Sequence, residues 1–600
     1  MTPFDNIYEQ YLKVPEIFQD KLNDIYNLGM QELSQKKTTE EKEKVLYKLI
    51  FIFSDKAELY YFMGYLYKEI DINRALMWFR MCFNISDTFL ENLIDFTKIL
   101  FDKKYINYIH FLNKTKVFDN CTDSRIKLLL GTISIFECKM EEGKKTLTSL
   151  LDTQYPDKQF ESILLSNLGY VYGMLADYQK SIEYSTKAYK ISKEISMNSL
   201  SLLDNLIVAY DYTYADNSKR FELCNEINDI YKNEILFDLK NRKKNEKIKI
   251  GYVSSDFEFH AVSNFILPII QNHDMDQFDI YLFTQSPFLS KYFLYECDPK
   301  INKVNISNMN ALDAACVINQ LNIDILFDLN GFTYGGRLNI FAKNPAPIQI
   351  SYIGYPNSIG LKSIKYRIAD KITNPPNSTQ IYNEQLLYLP KCFLLYKPYN
   401  QSAPVVPKMD DTVILGALNK ENKNSDYVLD TWKTILKSNT KLKILIKLST
   451  LDNEVDRTEY YCKKLEVEKD RLIIVNKCSE EEYVNLFTKV DILLDTFPYS
   501  GTTTSCNTLY NSIPIITMYN KDYHVHNVTA SVLINSGFPE LVSYNNEEYI
   551  QKVLDLSSDI DRIHNYKRNI HTKFMELMNA SKFMKDYEKI MKNLYKSILS

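Results

Sequence analysis

The spacing of hydrophobic positions changes character once along the chain. Up to about residue 240, apolar side chains recur at helical intervals, with few prolines and almost no strict alternation, which predicts helices joined by short turns. A charged run without an apolar face, Leu239–Lys249, marks a linker. Beyond it lie short β-branched stretches that read as buried strands: Ile248–Val253, Phe278–Phe283, Ile323–Leu329 and Pro347–Ile353. Helix-like segments such as Ala311–Leu321 fall between them. A second series follows Pro398–Asp411, with Thr412–Leu418, Leu442–Leu448, Leu472–Val475, Ile492–Leu494 and Pro514–Met518. Strands alternating with helices predict two doubly wound parallel sheets in tandem. The last roughly 50 residues read as helices.

The helical part repeats. Asn167–Ala188 places Leu168, Gly169, Tyr172, Ser181 and Ala188 at the large, small, aromatic, small and small positions of a tetratricopeptide (TPR) unit. Ala57–Cys82 repeats this with Gly64, Tyr67, Ala75 and Phe79, and Leu28-Gly29 and Leu130-Gly131 read as degenerate copies. Gly29 to Gly64 spans 35 residues and Gly64 to Gly131 spans 67, near one and two periods. A solenoid of about five or six repeats is expected, with a concave surface suited to an extended peptide or another protein. Scaffolding or dimerisation is the plainer use of such a surface.

The candidate chemistry gathers where strands end. In Asp491–Ser531 a buried strand closes in a turn at Thr496, Pro498 and Gly501, and Thr502, Thr503, Thr504 and Ser505 then occupy the start of a helix. The unpaired N–H groups there, with small hydroxyl side chains, suit an anion such as a diphosphate. Taken alone, the run is equally an ordinary hydroxyl-rich cap. In the first sheet, Ser254-Ser255-Asp256 with His260, Asn330-Gly331 with Gly335-Gly336-Arg337, and Gly354-Tyr355-Pro356-Asn357 all follow strands, and ligands bind at such carboxyl ends. These groups are expected to converge on a cleft facing the threonine helix.

Composition removes several classes. A chain of 600 residues is too long for one core, and a net charge of −4 gives no nucleic-acid footprint. Ten scattered cysteines, without CxxC or metal spacing, read as free thiols in a reducing compartment. The start lacks a signal-peptide pattern and no stretch is apolar enough to span a membrane. Neither GxGxxG nor GxxxxGK[ST] occurs, which argues against a nicotinamide enzyme or a P-loop NTPase, and the lone DxD at Asp274-Met275-Asp276 reads as a polar turn.

Four stretches carry a family resemblance: GYVSSDFEFHAVSNF (251–265), FDLNGFTYGGR (327–337), PAPIQISYIGYPNSIGLKSIKYRIAD (345–370) and DTFPYSGTTTSCNTLY (495–510). They resemble the catalytic region of the protein O-GlcNAc transferase family, most closely its SPINDLY-type branch, and LPKCFLLY (389–396) and HVHNV (524–528) agree. The resemblance implies a TPR solenoid followed by an α/β glycosyltransferase of GT-B type with two Rossmann-like domains. The expected divisions are 1–240 for the repeats, 246–400 and 410–545 for the two halves, and 546–600 for terminal helices. It further implies inverting, metal-independent transfer from a nucleotide sugar to Ser or Thr hydroxyls of proteins held by the repeats. No cofactor, nucleic acid or membrane is involved, the repeats offer a homodimer surface, and the setting is cytoplasmic or nuclear. The branch favours GDP-fucose over UDP-GlcNAc.

Carried over residue by residue, the resemblance puts Lys423 at the diphosphate lysine, Lys420 beside the nucleotide, Thr502, Thr503 and Thr504 at the phosphate-binding helix start, and Tyr483 at the base. His260 matches the histidine of the first half, as base or as substrate-positioning group. Asp324 stands where animal O-GlcNAc enzymes carry a histidine, which makes it a candidate for catalysis. His524 and His526 flank a loop that could close over the donor. Asn330, Gly331, Arg337, Gly354, Tyr355 and Pro356 form the acceptor side of the cleft. Asn507 replaces an acidic residue and Glu480 a uridine-contacting lysine, so UDP-GlcNAc recognition is not inherited directly. An inactive scaffold and a sugar-nucleotide epimerase are the competing readings.

Overall fold

In the computed structural model, residues 2–86, a few positions between 92 and 99, and residues 123–197, 199–214, 217–234, 236–239, 242–285, 296–398, 413–451 and 454–599 are described. The expected separation at Pro398–Asp411 lies almost wholly outside them. The chain forms two compact units, one of residues 1–134 with 145–154, the other of residues 135–144 with 155–600.

The first unit is helical. Helices Leu22–Gln35 and Thr39–Ile52, then Ala57–Tyr67 and Ile72–Ile85, follow one another through short turns. Thr38 and Glu41 form a reciprocal capping box and Asp71 caps Ile72–Ile85, which fixes where each second helix begins. The glycines singled out in the sequence mark the helix crossings. A Cβ on Gly29 would meet Leu49 at 2.4 Å, one on Gly64 the Phe79 ring at 2.5 Å and one on Gly131 Leu147 at 2.6 Å.

The second unit opens with two further helix pairs, Lys158–Met174 with Tyr178–Glu194 and Leu200–Asp211 with Asn217–Ile230. Asp157 and Asp177 cap the first two, and Gly169 lets Ser181 Oγ reach its carbonyl at 2.7 Å. The charged stretch after them is not a free linker where it is described. Arg242 donates to the Ile323 carbonyl at 2.6 Å and Asn245 to Asp324 at 2.8 Å, tying the run to the amino edge of the first sheet.

That sheet contains β1 (Ile248–Ser254), β2 (Phe278–Thr284), β3 (Asn302–Asn305), β4 (Ile325–Asp328), β5 (Ile348–Ser351), β6 (Tyr366–Asp370) and β7 (Gln385–Leu389). Its order is β3-β2-β1-β4-β5-β6-β7, and every pairing is parallel. The second contains β8 (Ile414–Ala417), β9 (Lys443–Lys447), β10 (Leu472–Val475), β11 (Ile492–Leu494), β12 (Ile515–Met518) and β13 (Val542–Ser543), in the order β10-β9-β8-β11-β12-β13, again all parallel. Strand order reverses between β1 and β4 and between β8 and β11, and crevices open at the carboxyl side of such points. The architecture is the helical array followed by two Rossmann-like sheets that the sequence predicted.

Helices Asn546–Ser557, Ile560–Leu577 and Ala580–Leu599 end the chain. The last returns to the first sheet, where Tyr587 is buried with its ring 5.9 Å from Phe327 and its hydroxyl 3.2 Å from that of Tyr252. Among the described residues no helix is long and apolar enough to cross a membrane.

Candidate active site

Both reversal points contribute to one cavity of about 590 Å³. His260 enters it from the loop after β1, and Lys420, Lys447, Tyr483, Thr503, Thr504 and Asn507 from the second sheet.

The loop after β1 is held by a carboxylate. Asp256 accepts Ser255 Oγ at 2.8 Å and Asn330 Nδ2 at 2.9 Å, and Asn330 Oδ1 accepts the Ser255 N–H at 3.1 Å. The loops after β1 and β4 are thereby latched together. His260 Nδ1 lies 3.3 Å from Asp256 Oδ2, with the imidazole side chain 47% exposed. The same Nδ1 also accepts the Val262 N–H at 3.4 Å, so the ring is held between a backbone donor and the carboxylate.

The opposite wall is the turn between β11 and helix Thr503–Tyr510. Asp495, wholly buried, accepts the Gly501 N–H at 2.8 Å, Asn419 Nδ2 at 3.1 Å, the Thr496 N–H at 3.0 Å and Thr517 Oγ1 at 2.7 Å. Four donors from β8's loop, the turn itself and β12 thus converge on one side chain and set the turn's path. A Cβ on Gly501 would sit 2.2 Å from Ser505 Oγ, so any larger residue here must push that hydroxyl aside. Thr502 is the N-cap residue, and the first N–H groups of the helix have no intrahelical partners.

Lys423 reaches this turn from the short 3₁₀ segment Glu421–Lys423, donating to the Ser500 carbonyl at 2.7 Å. Burial pushes its ammonium down to about 7, against the opposing pull of Asp495, with Lys420 adding to the decrease. Glu421 is turned away, paired with Arg457 and bonded to Tyr461 at 3.2 Å.

Deeper along the second sheet's side of the cavity, burial pushes the Tyr483 hydroxyl up to about 12, and Lys447 Nζ stands 5.4 Å from its ring centre. Asn507 Oδ1 accepts the Tyr396 hydroxyl, linking the helix to the end of the first half. Glu480 lines the same cavity.

The residues expected on the acceptor side are placed differently from one another. A second cavity, of about 530 Å³, is lined by Tyr355, Gly335 and Gly336, by helices of the last two repeats, and by Lys420, which it shares with the first. Asn330 and Gly331 lie buried beneath it, their N–H groups 3.2 and 3.1 Å from Asp328 Oδ1. Gly354 presses on the Leu329 carbonyl, and Pro356 is half-buried behind it.

Four expected residues are not brought to the site. Asp324 precedes β4, at the opposite end of the sheet from the cleft, and accepts Asn245 Nδ2 at 2.8 Å and the Lys249 N–H at 2.9 Å. It fastens the amino ends of β1 and β4. Arg337 donates to the Met309 carbonyl at 3.0 Å and to Asn339 at 3.3 Å instead of facing the cleft. His524 and His526 flank no open loop: both are buried in the first turn of helix His524–Asn535. His524 Nδ1 is 2.7 Å from Asn374 Oδ1, and burial drives its imidazole well below the ordinary value.

The sequence reading missed Asp256 as the partner of His260, Asp495 as the organiser of the turn, and Lys447. An aspartate directly after a buried strand was the available signal for the first two. For Lys447, inside β9, there was none. The DxD aspartate Asp274 caps its own turn, accepting the Asp276 N–H at 3.0 Å. Among the described residues no group of three or more His, Cys, Asp or Glu side chains is placed to hold a metal ion.

The sequence matches the profile of glycosyl transferase family 41 over residues 205–404 and 402–587. The chain belongs to that family. Among curated relatives in it, the probable UDP-N-acetylglucosamine–peptide N-acetylglucosaminyltransferase SPINDLY of Arabidopsis thaliana is 32% identical over 366 residues, covering 58% of this chain and 39% of that protein. The tomato (Solanum lycopersicum) protein of the same description is 30% identical over 371 residues, covering 58% and 38%. The chain therefore spans about two-fifths of the length of these relatives. A solved structure of a mutant Thermobaculum terrenum O-GlcNAc transferase superposes with a TM-score of 0.67 at 20% identity, covering 100% of this chain and 99% of that one. That likeness shows a shared fold, with helical repeats preceding two Rossmann-like halves.

Proposed function

We propose that this family 41 chain is a protein O-glycosyltransferase, moving a sugar from a nucleoside diphosphate to Ser or Thr hydroxyls with inversion and without a metal. The observation that carries the reading is the single cavity in which His260, backed by Asp256, faces Thr503, Thr504 and Lys420, with Lys423 at the adjoining turn. Attack of an acceptor oxygen on the anomeric carbon sends negative charge onto the departing diphosphate. The helix N-terminus, the threonine hydroxyls, Lys420 and Lys423 are donors placed in advance for that charge. The His260 imidazole takes the acceptor proton or orients the acceptor. Tyr483 and Asn507 hold the nucleoside, and the repeats present the acceptor protein. A cytoplasmic or nuclear setting, where cysteines stay reduced, suits such acceptors.

The test is mass spectrometry of Ser/Thr peptides and of the protein itself after incubation with GDP-fucose or UDP-GlcNAc. Removing one preorganised donor lowers rates about 10²–10³-fold, and Lys423→Ala is expected to fall in that range. A deoxyhexose shift lost in the variant supports fucosyl transfer and a HexNAc shift supports GlcNAc transfer. Full turnover by folded Lys423→Ala rejects the site, and tight nucleotide binding without any transfer favours a scaffold.

A further inference from the structure

Three tyrosines stand face to face beside Lys423, and they come from three separate parts of the chain. Tyr499 lies in the turn before helix Thr503–Tyr510, Tyr212 is the C-cap of helix Leu200–Asp211, and Tyr178 opens helix Tyr178–Glu194. Lys423 Nζ is 4.4 Å from the centre of the Tyr499 ring. Tyr499 stacks on Tyr212 at 4.4 Å with 23° between the planes, and Tyr212 on Tyr178 at 4.9 Å and 14°. The Tyr178 hydroxyl then donates to the carbonyl of Asn422, the residue next to Lys423, at 2.6 Å. The stack thus touches the Lys423 segment at both of its ends.

Two of the three rings belong to the repeats, yet the group they surround belongs to the second sheet. Among the described residues no carboxylate forms an ion pair with Lys423, and its one polar contact is the Ser500 carbonyl. An ammonium in that position keeps its place through the face of an aromatic ring, and the ring keeps its own place only if something backs it. Tyr212 backs Tyr499, and Tyr178 backs Tyr212. The charged side chains acting on the ammonium are Asp495, which favours its charge, and Lys420, which opposes it. Burial outweighs both.

We propose that Tyr212 and Tyr178 are positioning residues of the donor site: by backing Tyr499, the last two repeats hold the Lys423 ammonium toward the diphosphate and keep water away from it. The inference rests on the reading of Lys423 as a diphosphate contact. It makes the repeats part of the donor machinery, whatever acceptor they carry. A free-state ammonium titrating near 7 must gain a proton when a diphosphate binds at higher pH, and a wetter one is protonated already.

Calorimetric titration of the full chain with GDP and with UDP, in buffers of differing ionisation enthalpy at about pH 8, counts that proton. For a group titrating one unit lower, roughly nine-tenths of a proton is taken up per nucleotide. The unaltered chain and Tyr212→Phe are expected to show this uptake, and Lys423→Met none. Tyr212→Ala is expected to show no more than about half, with nucleotide affinity at least about fivefold weaker. Where Tyr212→Ala does not fold, Tyr178→Ala, which removes the outer ring, gives the same reading. Uptake in the alanine variants equal to the unaltered chain, or Tyr212→Phe behaving like Tyr212→Ala, overturns the positioning role and leaves Lys423 its own. Binding of neither nucleotide overturns the donor-site reading and this inference with it.

Discussion

His526 is held neutral by its partners. Its Nδ1 lies 2.8 Å from the Met518 carbonyl, which can only accept, so that nitrogen carries the proton and Nε2 accepts the Tyr214 hydroxyl at 2.9 Å. Burial lowers the imidazole from 6.5 to about 4. The unfolded chain therefore binds a proton before the folded one does. Stability from this group is complete above about pH 6.5 and is lost as the pH falls toward 4, by about 1.4 kcal/mol per unit. Between about pH 7.5 and 5 that amounts to roughly 2 kcal/mol. In urea unfolding, His526→Gln should lose that much less over the same interval, and an equal loss in both proteins would show that His526 is not the titrating group. Neutrality of this kind was not legible in the sequence, where His524 and His526 stood out as polar residues near a loop. His260 and the threonines were legible from type and place together, in loops that follow strands, whereas Lys423 was put forward by the resemblance alone. So was Asp324, but it precedes its strand.

The decisive element is the turn from Asp495 to the threonine helix. Its strand, its Gly501 and its helix start could all be read from the apolar run followed by TFPYSGTTTS. What could not be read is that the turn is suspended from Asp495, because all four of its donor groups come from residues distant in sequence or from backbone. Gly501→Ala crowds Ser505, whose hydroxyl is engaged with Thr529 at 2.7 Å and cannot move freely. Overpacking of this order costs about 1–3 kcal/mol. The start of the helix should shift, weakening GDP or UDP binding at least about tenfold in titration while the helical content seen by circular dichroism stays the same. Unchanged nucleotide affinity would mean that the turn does not face the phosphates. Four strands were not read from the sequence, β3, β6, β7 and β13. β3 is the polar edge stretch NKVN and β13 has two residues, so neither presents a periodic apolar pattern, whereas β6 (YRIAD) and β7 (QLLYL) are five-residue stretches too short to set a period.

Across the whole molecule, the last helix pair, joined by Tyr189 of the helix before it, shares one core with the first sheet. Leu203, Leu206, Ile207, Cys224 and Ile227 pack with Val253, Phe283, Leu326 and Ile359. At its edge Arg220 donates to Asp211 at 2.6 Å and to the Tyr355 hydroxyl at 2.7 Å, and Asn357 donates to the same aspartate at 2.7 Å. All four side chains are buried. Arg220→Met leaves the Asp211 charge without its cation, a change that costs about 3–5 kcal/mol at buried pairs. Scanning calorimetry should show the sheet's transition several degrees lower, and an unmoved transition would mean that the pair is solvated. The helical period located the repeats in the sequence, but no local pattern reveals which of them continue into a neighbouring core, since the packing partners lie a hundred residues away. The family profile begins at residue 205, inside helix Leu200–Asp211, in keeping with that shared core. For anyone recombining such proteins, the consequence is a seam to leave intact. A junction at the charged run after residue 239 would cut through the second unit's own foundations, and residues 135–144 belong with that unit as well.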